Sequence, residues 1–537
     1  MRLRQRWVRL LCAGVGVILL CSYGYFSSGS GPNQNTRYDM VRALVEEGTL
    51  AIDDYHENTI DKASFRGHFY SDKAPGSSLL ALPVYAAGYA LHRLVYTAEQ
   101  VTQSRKLQRR LFGWVQLWAA SIPGAVLGAL ILLFLLELAA PRPRVGWAAV
   151  AALTLGLGSP LFAYSTMFLG HALSALGLFA GFFLLFRDTA NAPTRAALLT
   201  AGACFGLATL SEYPAAPAAV ILFAVRCWPA RGTPARDWLS QAGRTALWIA
   251  AGSGPFAALF ALNNRLVSGS WVVVGYASVQ DQFKSYQDTG FYGVSLPSPG
   301  VLLDLLVGKL RGILLLSPIL LAIVPGFLPV WRQDRRIAIA LAATIAYYLL
   351  LNASYAVWWG GAAVYPRHLT SAIPFFAPFV YFALAERHTR LRSLRVSTVI
   401  AAVVSVVNGL VIVAVYPQTQ NTILFPLRYV YESLFRGELG TALWWEPFRN
   451  SVTNRELLKG TNLGMSLLDE TNAWSLVPLL LFWAVAAFVL ARLLARAGAP
   501  LWAEVEVSAD PSGPRRGAGA GTKNRPGKPS RSQRRTG

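Results

Sequence analysis

The sequence has few charged residues and little cysteine. Only 14% of its 537 residues are charged and 54% are apolar, whereas roughly a quarter of the residues in an average soluble domain are charged. The four cysteines stand singly in apolar segments without a CxxC spacing, which excludes a disulfide framework and a cysteine-based zinc site. No internal repeat is visible, which disfavours a transporter built from duplicated halves. The composition therefore favours a chain whose solvent is lipid.

The positive charge is concentrated where membrane proteins carry it. The net charge is +22, and the Lys and Arg residues lie mainly in short breaks between apolar runs and in the C-terminal tail. This distribution is typical of membrane orientation signals rather than of nucleic-acid binding. Residues 499–537 are predicted to be a basic, disordered, cytoplasmic tail that can contact anionic lipid headgroups. No nucleic acid is expected as a partner.

Thirteen apolar segments approach the length of roughly 20 residues that a helix needs to cross a bilayer. They lie at 7–26, 76–97, 111–137, 146–163, 166–186, 195–211, 213–228, 245–263, 313–331, 337–352, 371–385, 396–416 and 474–495. Basic flanks predict that both termini are cytoplasmic, which requires an even number of crossings. The segment 76–97 contains His92 and Arg93 and is the one rejected.

The predicted fold is an all-α polytopic membrane protein with about 12 (11–13) transmembrane helices and juxtamembrane helices in the first outer loop. The transmembrane domain spans 1–498, and the protein is expected in the plasma (inner) membrane, with the bilayer as its environment. The large outer loops are 27–110, 264–312 and 417–473.

The first outer loop reverses the charge of the whole chain. Residues 27–75 hold eight acids against five Lys and Arg. Such a loop can bind a divalent ion, Mg²⁺ or Mn²⁺, or supply a carboxylate base, although no metal is required by the sequence. The alternative is a solvated acidic loop without chemistry.

Two places in this loop supply candidate residues. The segment TRYDMVRALVEEG predicts an amphipathic helix that lies flat on the bilayer and ends at Gly48. Its Asp39 is a candidate catalytic carboxylate, or the partner of Thr36 in a capping box. Further on, Asp72 and Lys73 precede a Pro-Gly turn at the start of an apolar helix. There they can serve as a base and a phosphate-binding cation, or cap and anchor the helix.

Other polar residues are predicted at the same membrane face. Glu212 between two apolar segments must be solvated or paired. His171 can act as a metal ligand or general base, or only form a hydrogen bond. Arg311 and Arg367 can hold a phosphate or extend to lipid headgroups.

Aromatic residues gather near Arg367. They form either a sugar-stacking platform or part of the aromatic belt found at bilayer interfaces. These residues are Tyr355, Trp358, Trp359 and Tyr365.

The order of these pieces resembles the GT-C superfamily of membrane glycosyltransferases. A basic-flanked first helix, P-x-x-x-TRY, (D/E)-K-x-P before an apolar helix, and later YPRHLTSAIPFFAPF are similar to the branch containing protein O-mannosyltransferases and the lipid A aminoarabinose transferase. The resemblance covers roughly the first 215 residues and 353–385. It implies a polyprenyl-phosphate-linked sugar as donor and contact of Arg367 with the carrier phosphate.

The expected reaction is an inverting sugar transfer at the outer face. Lys73 and Arg367 would hold the phosphate, with Arg37 as a third candidate, and Asp72 or Asp39 would deprotonate the acceptor. Glu212 and His171 are expected to complete the binding site. The acceptor, whether glycan, lipid or protein, is not indicated.

The chain departs from the family at one position pair. The family has two carboxylates before TRY, whereas this chain has Gln34 and Asn35, whose amides cannot accept a proton at ordinary pH. Either Asp39, Asp72 or another loop acid has taken the role, or the enzyme belongs to a divergent branch, or catalysis is lost. The alternatives are a non-catalytic GT-C-like scaffold, and a transporter or flippase of a lipid-linked sugar or anion.

Overall fold

The structure is a computed structural model that describes residues 2–3, 5–29, 31–230, 232–279, 281–385, 392–419, 422–440, 460–497 and 506–507. Of the predicted tail at 499–537, only residues 506–507 are among the described residues. The middle of the 417–473 loop and residues 387–391, which lie in a basic break between two predicted spans, are also outside the described residues.

Twenty-two α-helices are described. The first twelve are α1 Gln5–Gly24, α2 Pro32–Arg42, α3 Gly76–Arg93, α4 Ala98–Gln103, α5 Arg105–Gln116, α6 Ile122–Leu138, α7 Val145–Leu157, α8 Pro160–Ser165, α9 His171–Phe186, α10 Arg195–Ser211, α11 Ala215–Cys227 and α12 Ala235–Ser268. The others are α13 Asp281–Gln287, α14 Pro299–Val307, α15 Ile313–Leu316, α16 Ile323–Gln333, α17 Arg335–Ser354, α18 Ala377–Ala385, α19 Arg392–Val415, α20 Pro426–Phe435, α21 Leu463–Leu468 and α22 Val477–Arg496.

Shorter helical turns adjoin these helices. They are the 3₁₀ turns His56–Asn58, Gly275–Ser278, Pro318–Ala322, Arg367–Phe376 and Ala473–Leu476, and the π turns Ala43–Glu47 and Leu117–Ser121.

The chain is an all-α polytopic membrane protein, as its composition predicted. By length and composition, seven helical segments of the described chain can cross a membrane, and five apolar helices are shorter. The seven are Gln5–Gly24, Arg105–Leu138, Ala235–Ser268, Arg335–Ser354, Arg367–Ala385, Ser393–Val415 and Ala473–Arg496. These and the five shorter helices overlap the twelve predicted spans one to one. The rejected segment forms α3, which is not among them.

One continuous helical rod begins earlier than predicted. Helices α5 and α6 are joined by the π turn Leu117–Ser121, so the rod begins at Arg105, whereas the predicted span begins at 111. The Ser104 side chain accepts a hydrogen bond from the backbone of Leu107 and caps this rod. The basic residues of the outer loop thus extend the helix beyond its apolar part.

Small residues allow the spans to approach closely. Helix α9 packs against both α6 and α10. A Cβ atom on Gly177 would lie 2.6 Å from the carbonyl oxygen of Cys204, and one on Gly181 would lie 2.3 Å from the Phe205 ring. Glycine is therefore needed at this helix interface, a common feature of helices that pack in lipid.

Three pairs of short strands are described, and one of them positions the site. Strand β1 (Arg2–Leu3) pairs with β6 (Glu506–Val507), and β2 (Phe26–Ser27) pairs with β5 (Thr461–Asn462). Strands β3 (Lys62–Phe65) and β4 (His68–Ser71) form an antiparallel hairpin in which Lys62 lies opposite Ser71. The residues just outside that pair, Asp61 and Asp72, are therefore side by side.

The predicted amphipathic helix exists, but its expected cap and location are wrong. Helix α2 begins at Pro32 after Gly31, no side chain caps it, and a glycine with φ +73° at position 48 ends the π turn that follows. Every residue from Asn33 to Arg42 is buried. The helix lies within the protein rather than flat on the bilayer, because its polar side chains find partners in neighbouring segments. The Thr36–Asp39 capping box does not form.

Candidate functional site

A cavity of about 440 Å³ lies at one end of the helical bundle. Helix α9 begins at its wall, α10 and α17 end there, and the predicted outer loops supply the rest. This volume falls in the usual range of sites for small molecules, roughly 300–1,000 Å³. Its charged and imidazole residues are Arg37, Asp61, Asp72, Lys73, His171, Glu212, Arg367 and His368.

Lys73 bridges two carboxylates in the cavity wall. Its Nζ atom lies 2.8 Å from Asp72 Oδ2 and 3.3 Å from Asp61 Oδ2, and the three side chains are 10%, 4% and 13% exposed, respectively. Burial alone would lower the pKa of Lys73, but the two carboxylates outweigh it and raise the pKa, so the side chain is an ammonium ion. Neither Asp72 nor Lys73 caps α3, which has no side-chain cap. The helix-cap alternative is therefore wrong.

Arg37 also lines the cavity, and its guanidinium is fully hydrogen-bonded within the protein. Its guanidinium donates to Asn33 Oδ1 at 3.1 Å, to the carbonyl of Ala74 at 2.8 Å and to Ser77 Oγ at 2.9 Å. It also pairs with Glu212 Oε1 at 3.2 Å. His171 Nδ1 lies 3.5 Å from the same carboxylate oxygen. The Arg37 charge is thus neutralised within the protein, and Glu212 joins the end of α10 to α2.

Arg367 differs from the other two cations. It begins the 3₁₀ turn that follows Pro366 and lines the cavity. Among the residues that the structure describes, its guanidinium donates no hydrogen bond and forms no ion pair, and its Nε atom is buried without a partner. His368 Nε2 is also buried without a partner, and the rings of His368 and His171 meet edge to face at 6.2 Å. Among the described residues, the cavity therefore presents a cation that contacts no carboxylate beside two imidazoles.

Aromatic side chains form another part of the wall. Trp359 and Tyr286 meet edge to face, with ring centroids 6.0 Å apart, and both line the cavity. Tyr355 and Tyr276 line it as well. Tyr365, one of the predicted platform residues, is instead fully buried in the core. Trp358, also predicted, does not line the cavity.

Arg311 stabilises the backbone of the loop that carries Trp359. The side chain is fully buried and donates to the carbonyls of Trp359 at 2.8 Å, Gly361 at 3.0 Å and Leu310 at 2.8 Å. It neither lines the cavity nor extends toward lipid headgroups. Its guanidinium holds in place the loop that carries Trp359.

Asp39 lies outside the cavity. It is fully buried and accepts a hydrogen bond from Asn58 Nδ2 at 3.0 Å. Burial raises the pKa of Asp39 to about 7, although the hydrogen bond from Asn58 and the charge of Arg42 act in the opposite direction.

Gln34 and Asn35, the two amides that precede TRY, form hydrogen bonds within the fold. Gln34 Oε1 accepts a hydrogen bond from the backbone N–H of Phe168, and Asn35 Nδ2 donates to the carbonyl of Asn58. Neither residue lines the cavity.

The cavity thus brings together six of the seven residues that were given a role in the expected reaction, namely Asp72, Lys73, Arg37, Glu212, His171 and Arg367. Sequence reasoning did not single out Asp61, His368 or the tyrosines of the 264–312 loop. Asp61 had been counted only as one acid of the first loop, and His368 directly follows Arg367. The register of the β3–β4 hairpin, seen only in the structure, brings Asp61 beside Asp72.

No family model matches the chain, and no curated protein matches it. Among solved structures, the chain resembles ArnT from Cupriavidus metallidurans bound to undecaprenyl phosphate, at 14% identity and a TM-score of 0.43, over 84% of this chain and 78% of that one. It also resembles the Archaeoglobus fulgidus oligosaccharyltransferase tethered to an acceptor peptide, at 12% identity and a TM-score of 0.47, over 75% of this chain and 55% of that one. Both proteins belong to the GT-C superfamily, whose motifs the sequence resembles.

Proposed function

We propose that this protein is a membrane glycosyltransferase that moves a sugar from a polyprenyl-phosphate carrier to an acceptor hydroxyl at the non-cytoplasmic face of the plasma membrane. The proposal rests on Arg367, whose guanidinium lines the cavity and has no partner among the described residues. A buried or half-buried cation without an anion is costly, and a phosphate in the cavity would compensate it. The planar guanidinium offers paired donors that match phosphate oxygens.

Lys73 would be the second cation to meet the phosphate. The charge of Arg367 acts on Lys73 and opposes its protonation, so the two cations are near enough to repel each other. An anion placed between them would remove this repulsion and gain from both charges. Arg37 is already paired with Glu212 and would act on the phosphate only through its position in the wall.

Asp72 would be the general base. Its Oδ2 atom contacts Lys73, whereas Oδ1 is buried and has no hydrogen-bond partner among the described residues. Burial raises the pKa of Asp72 above its ordinary value, against the ammonium of Lys73, which brings the carboxylate closer to the range useful for proton transfer. Asp39, the other candidate base, would act only through the fold because it does not line the cavity.

The transfer would need little chemistry beyond positioning. The acceptor oxygen would attack the sugar carbon from the side opposite the phosphate, while Asp72 takes the hydroxyl proton and the carrier phosphate leaves with the bonding electrons. Arg367 and Lys73 would stabilise the charge on the departing phosphate. Trp359 and Tyr286 would pack against the sugar.

The test is to incubate the full-length protein in lipid nanodiscs with a panel of undecaprenyl- and dolichyl-phosphate sugars and to measure release of the carrier phosphate. Release is expected with at least one donor, and Arg367→Gln and Asp72→Asn should abolish it. Matched controls are Arg428→Gln, at an exposed residue paired with Glu432, and Asp53→Asn, at an exposed acid paired with His68. Donor turnover that is equal in all four variants, or no binding of undecaprenyl phosphate to the unaltered chain, would contradict the proposal.

A further inference from the structure

Each carboxylate that lines the cavity, within the part of the chain that the structure describes, already has a cation of the chain as its partner. Asp61 and Asp72 share the ammonium of Lys73, and Glu212 pairs with Arg37. These pairs are shielded from water, because each of the five side chains is at most 17% exposed. The described lining residues thus carry three positive and three negative formal charges, and Arg367 is the one cation among them that contacts no carboxylate.

This arrangement does not fit the Mg²⁺ or Mn²⁺ ion that the acidic loop could have bound. An ion of this kind requires several oxygen ligands, at about 2.0–2.1 Å for Mg²⁺, and a gap between them. The Lys73 ammonium occupies the gap between Asp61 and Asp72, and its charge would repel a second cation there. Among the described residues, no group of three or more His, Cys, Asp or Glu side chains is placed to hold a metal ion.

We propose that Lys73 occupies the position that a divalent cation would otherwise take, and that the protein works without one. Lys73 holds the two carboxylates together and directs positive charge into the cavity. The part of this inference that concerns turnover rests on the proposed function, whereas the part that concerns metal binding does not. Removing the ammonium should therefore convert the Asp61–Asp72 pair into a site for a divalent cation.

The Lys73→Ala variant should gain this site for two reasons. It vacates the space of the ammonium and leaves two buried carboxylates side by side without a counter-charge. It also frees Asp72 Oδ2, next to an Oδ1 atom that already lacks a partner among the described residues. Carboxylates and water can then complete the shell of a hard cation. Lys73→Met removes the same charge but retains the bulk of the side chain, so it should gain no site.

The experiment is a Mn²⁺ titration of the full chain, followed by electron paramagnetic resonance and by the shift in melting temperature. Lys73→Ala should bind one Mn²⁺ at least about tenfold more tightly than the unaltered chain and melt at a higher temperature when Mn²⁺ is present. Lys73→Met and the double variant Lys73→Ala/Asp61→Asn should do neither. Lys62→Ala is the matched control, because Lys62 contacts His56 and does not line the cavity.

Two results would overturn the inference. One is Mn²⁺ binding by the unaltered chain that Asp61→Asn abolishes, a measurement that remains decisive if Lys73→Ala does not fold. The other is a folded Lys73→Ala protein that binds Mn²⁺ no better than Lys73→Met. Once a donor is found, the unaltered chain should also keep its turnover in EDTA. If no donor is turned over, the proposed function fails while the Mn²⁺ result stands by itself.

Discussion

Arg367 and Arg37 line the same cavity, yet replacing each by Gln should have opposite consequences. Arg37 is 2% exposed and loses an ion pair with Glu212 and three further hydrogen bonds. Breaking a buried pair on one side typically costs about 3–5 kcal/mol of folding free energy. Arg367 has no such partner among the described residues, and its removal ends the repulsion with Lys73. Arg367→Gln should therefore change the folding free energy by less than about 1 kcal/mol.

Binding of undecaprenyl phosphate should be weakened more by Arg367→Gln than by Arg37→Gln. Hydrogen bonds to a charged group contribute about 1.5–3 kcal/mol, so Arg367→Gln should weaken binding by about 10- to 150-fold. Arg37→Gln, where it folds, should weaken binding less. The assays are unfolding in an SDS titration and calorimetric binding in nanodiscs. If Arg367→Gln destabilised the protein as much as Arg37→Gln, or left carrier affinity unchanged, the assignment of Arg367 as the ligand-facing cation would be wrong.

Three further outcomes follow from buried groups near the cavity. The ordinary pKa of Asp39 is 3.8, and its pKa in the folded chain is about 7. Between these two pH values, Asp39 is protonated in the folded chain and ionised in the unfolded chain. Stability should therefore fall by up to about 4 kcal/mol as the pH rises through this window, and Asp39→Asn should flatten that dependence in melting curves at pH 4 to 8. A Cβ on Gly170 would lie 2.5 Å from Glu212 Oε1, so Gly170→Ala should lower the melting temperature, with an overpacking cost of about 1–3 kcal/mol. Arg311→Met should leave the carbonyl of Trp359 unsatisfied, at about 1–3 kcal/mol, and weaken binding of a glycosylated carrier more than of the bare phosphate.

The spans were predictable from the sequence because the physics that selects them is local. A segment in lipid must satisfy its backbone hydrogen bonds internally, so an apolar run of sufficient length is a helix. This is why the apolar runs locate the helices, whereas the extension of α5 to Arg105 was missed, since a basic, capped helix end carries no apolar signal.

The surroundings of α2 could not be read from its own residues. Its polar side chains suggested a helix facing water, but Arg37 contacts Glu212, 175 positions away, and Asp39 contacts Asn58. Periodicity separates apolar from polar faces and does not tell water from a polar protein interior. The true start of the helix did have a local signal, because Pro32 is at its first position. Proline is favourable there because the N–H of the first helical residue has no acceptor within the helix, so its loss costs no hydrogen bond.

The candidate residues of the cavity were predictable only where a local sequence pattern marks them. Asp72 and Lys73 stand out because an acid and a lysine precede a helix beside the membrane. The partnership of Lys73 with Asp61 depends on the register of the β3–β4 hairpin, which one sequence does not specify. Arg311 can be buried because its guanidinium donates hydrogen bonds to carbonyls 48 and 50 positions later in the chain.

The hydrogen bonds of Arg37 affect how quickly a ligand could bind in the cavity. Because its acceptors come from α2, from the start of α3 and from the end of α10, three separate segments are cross-linked before anything enters the cavity. The conformational entropy of arranging them is lost when the chain folds rather than at encounter. Association of a lipid with such a preformed pocket would then be governed by its lateral diffusion in the bilayer and not by rearrangement of the protein.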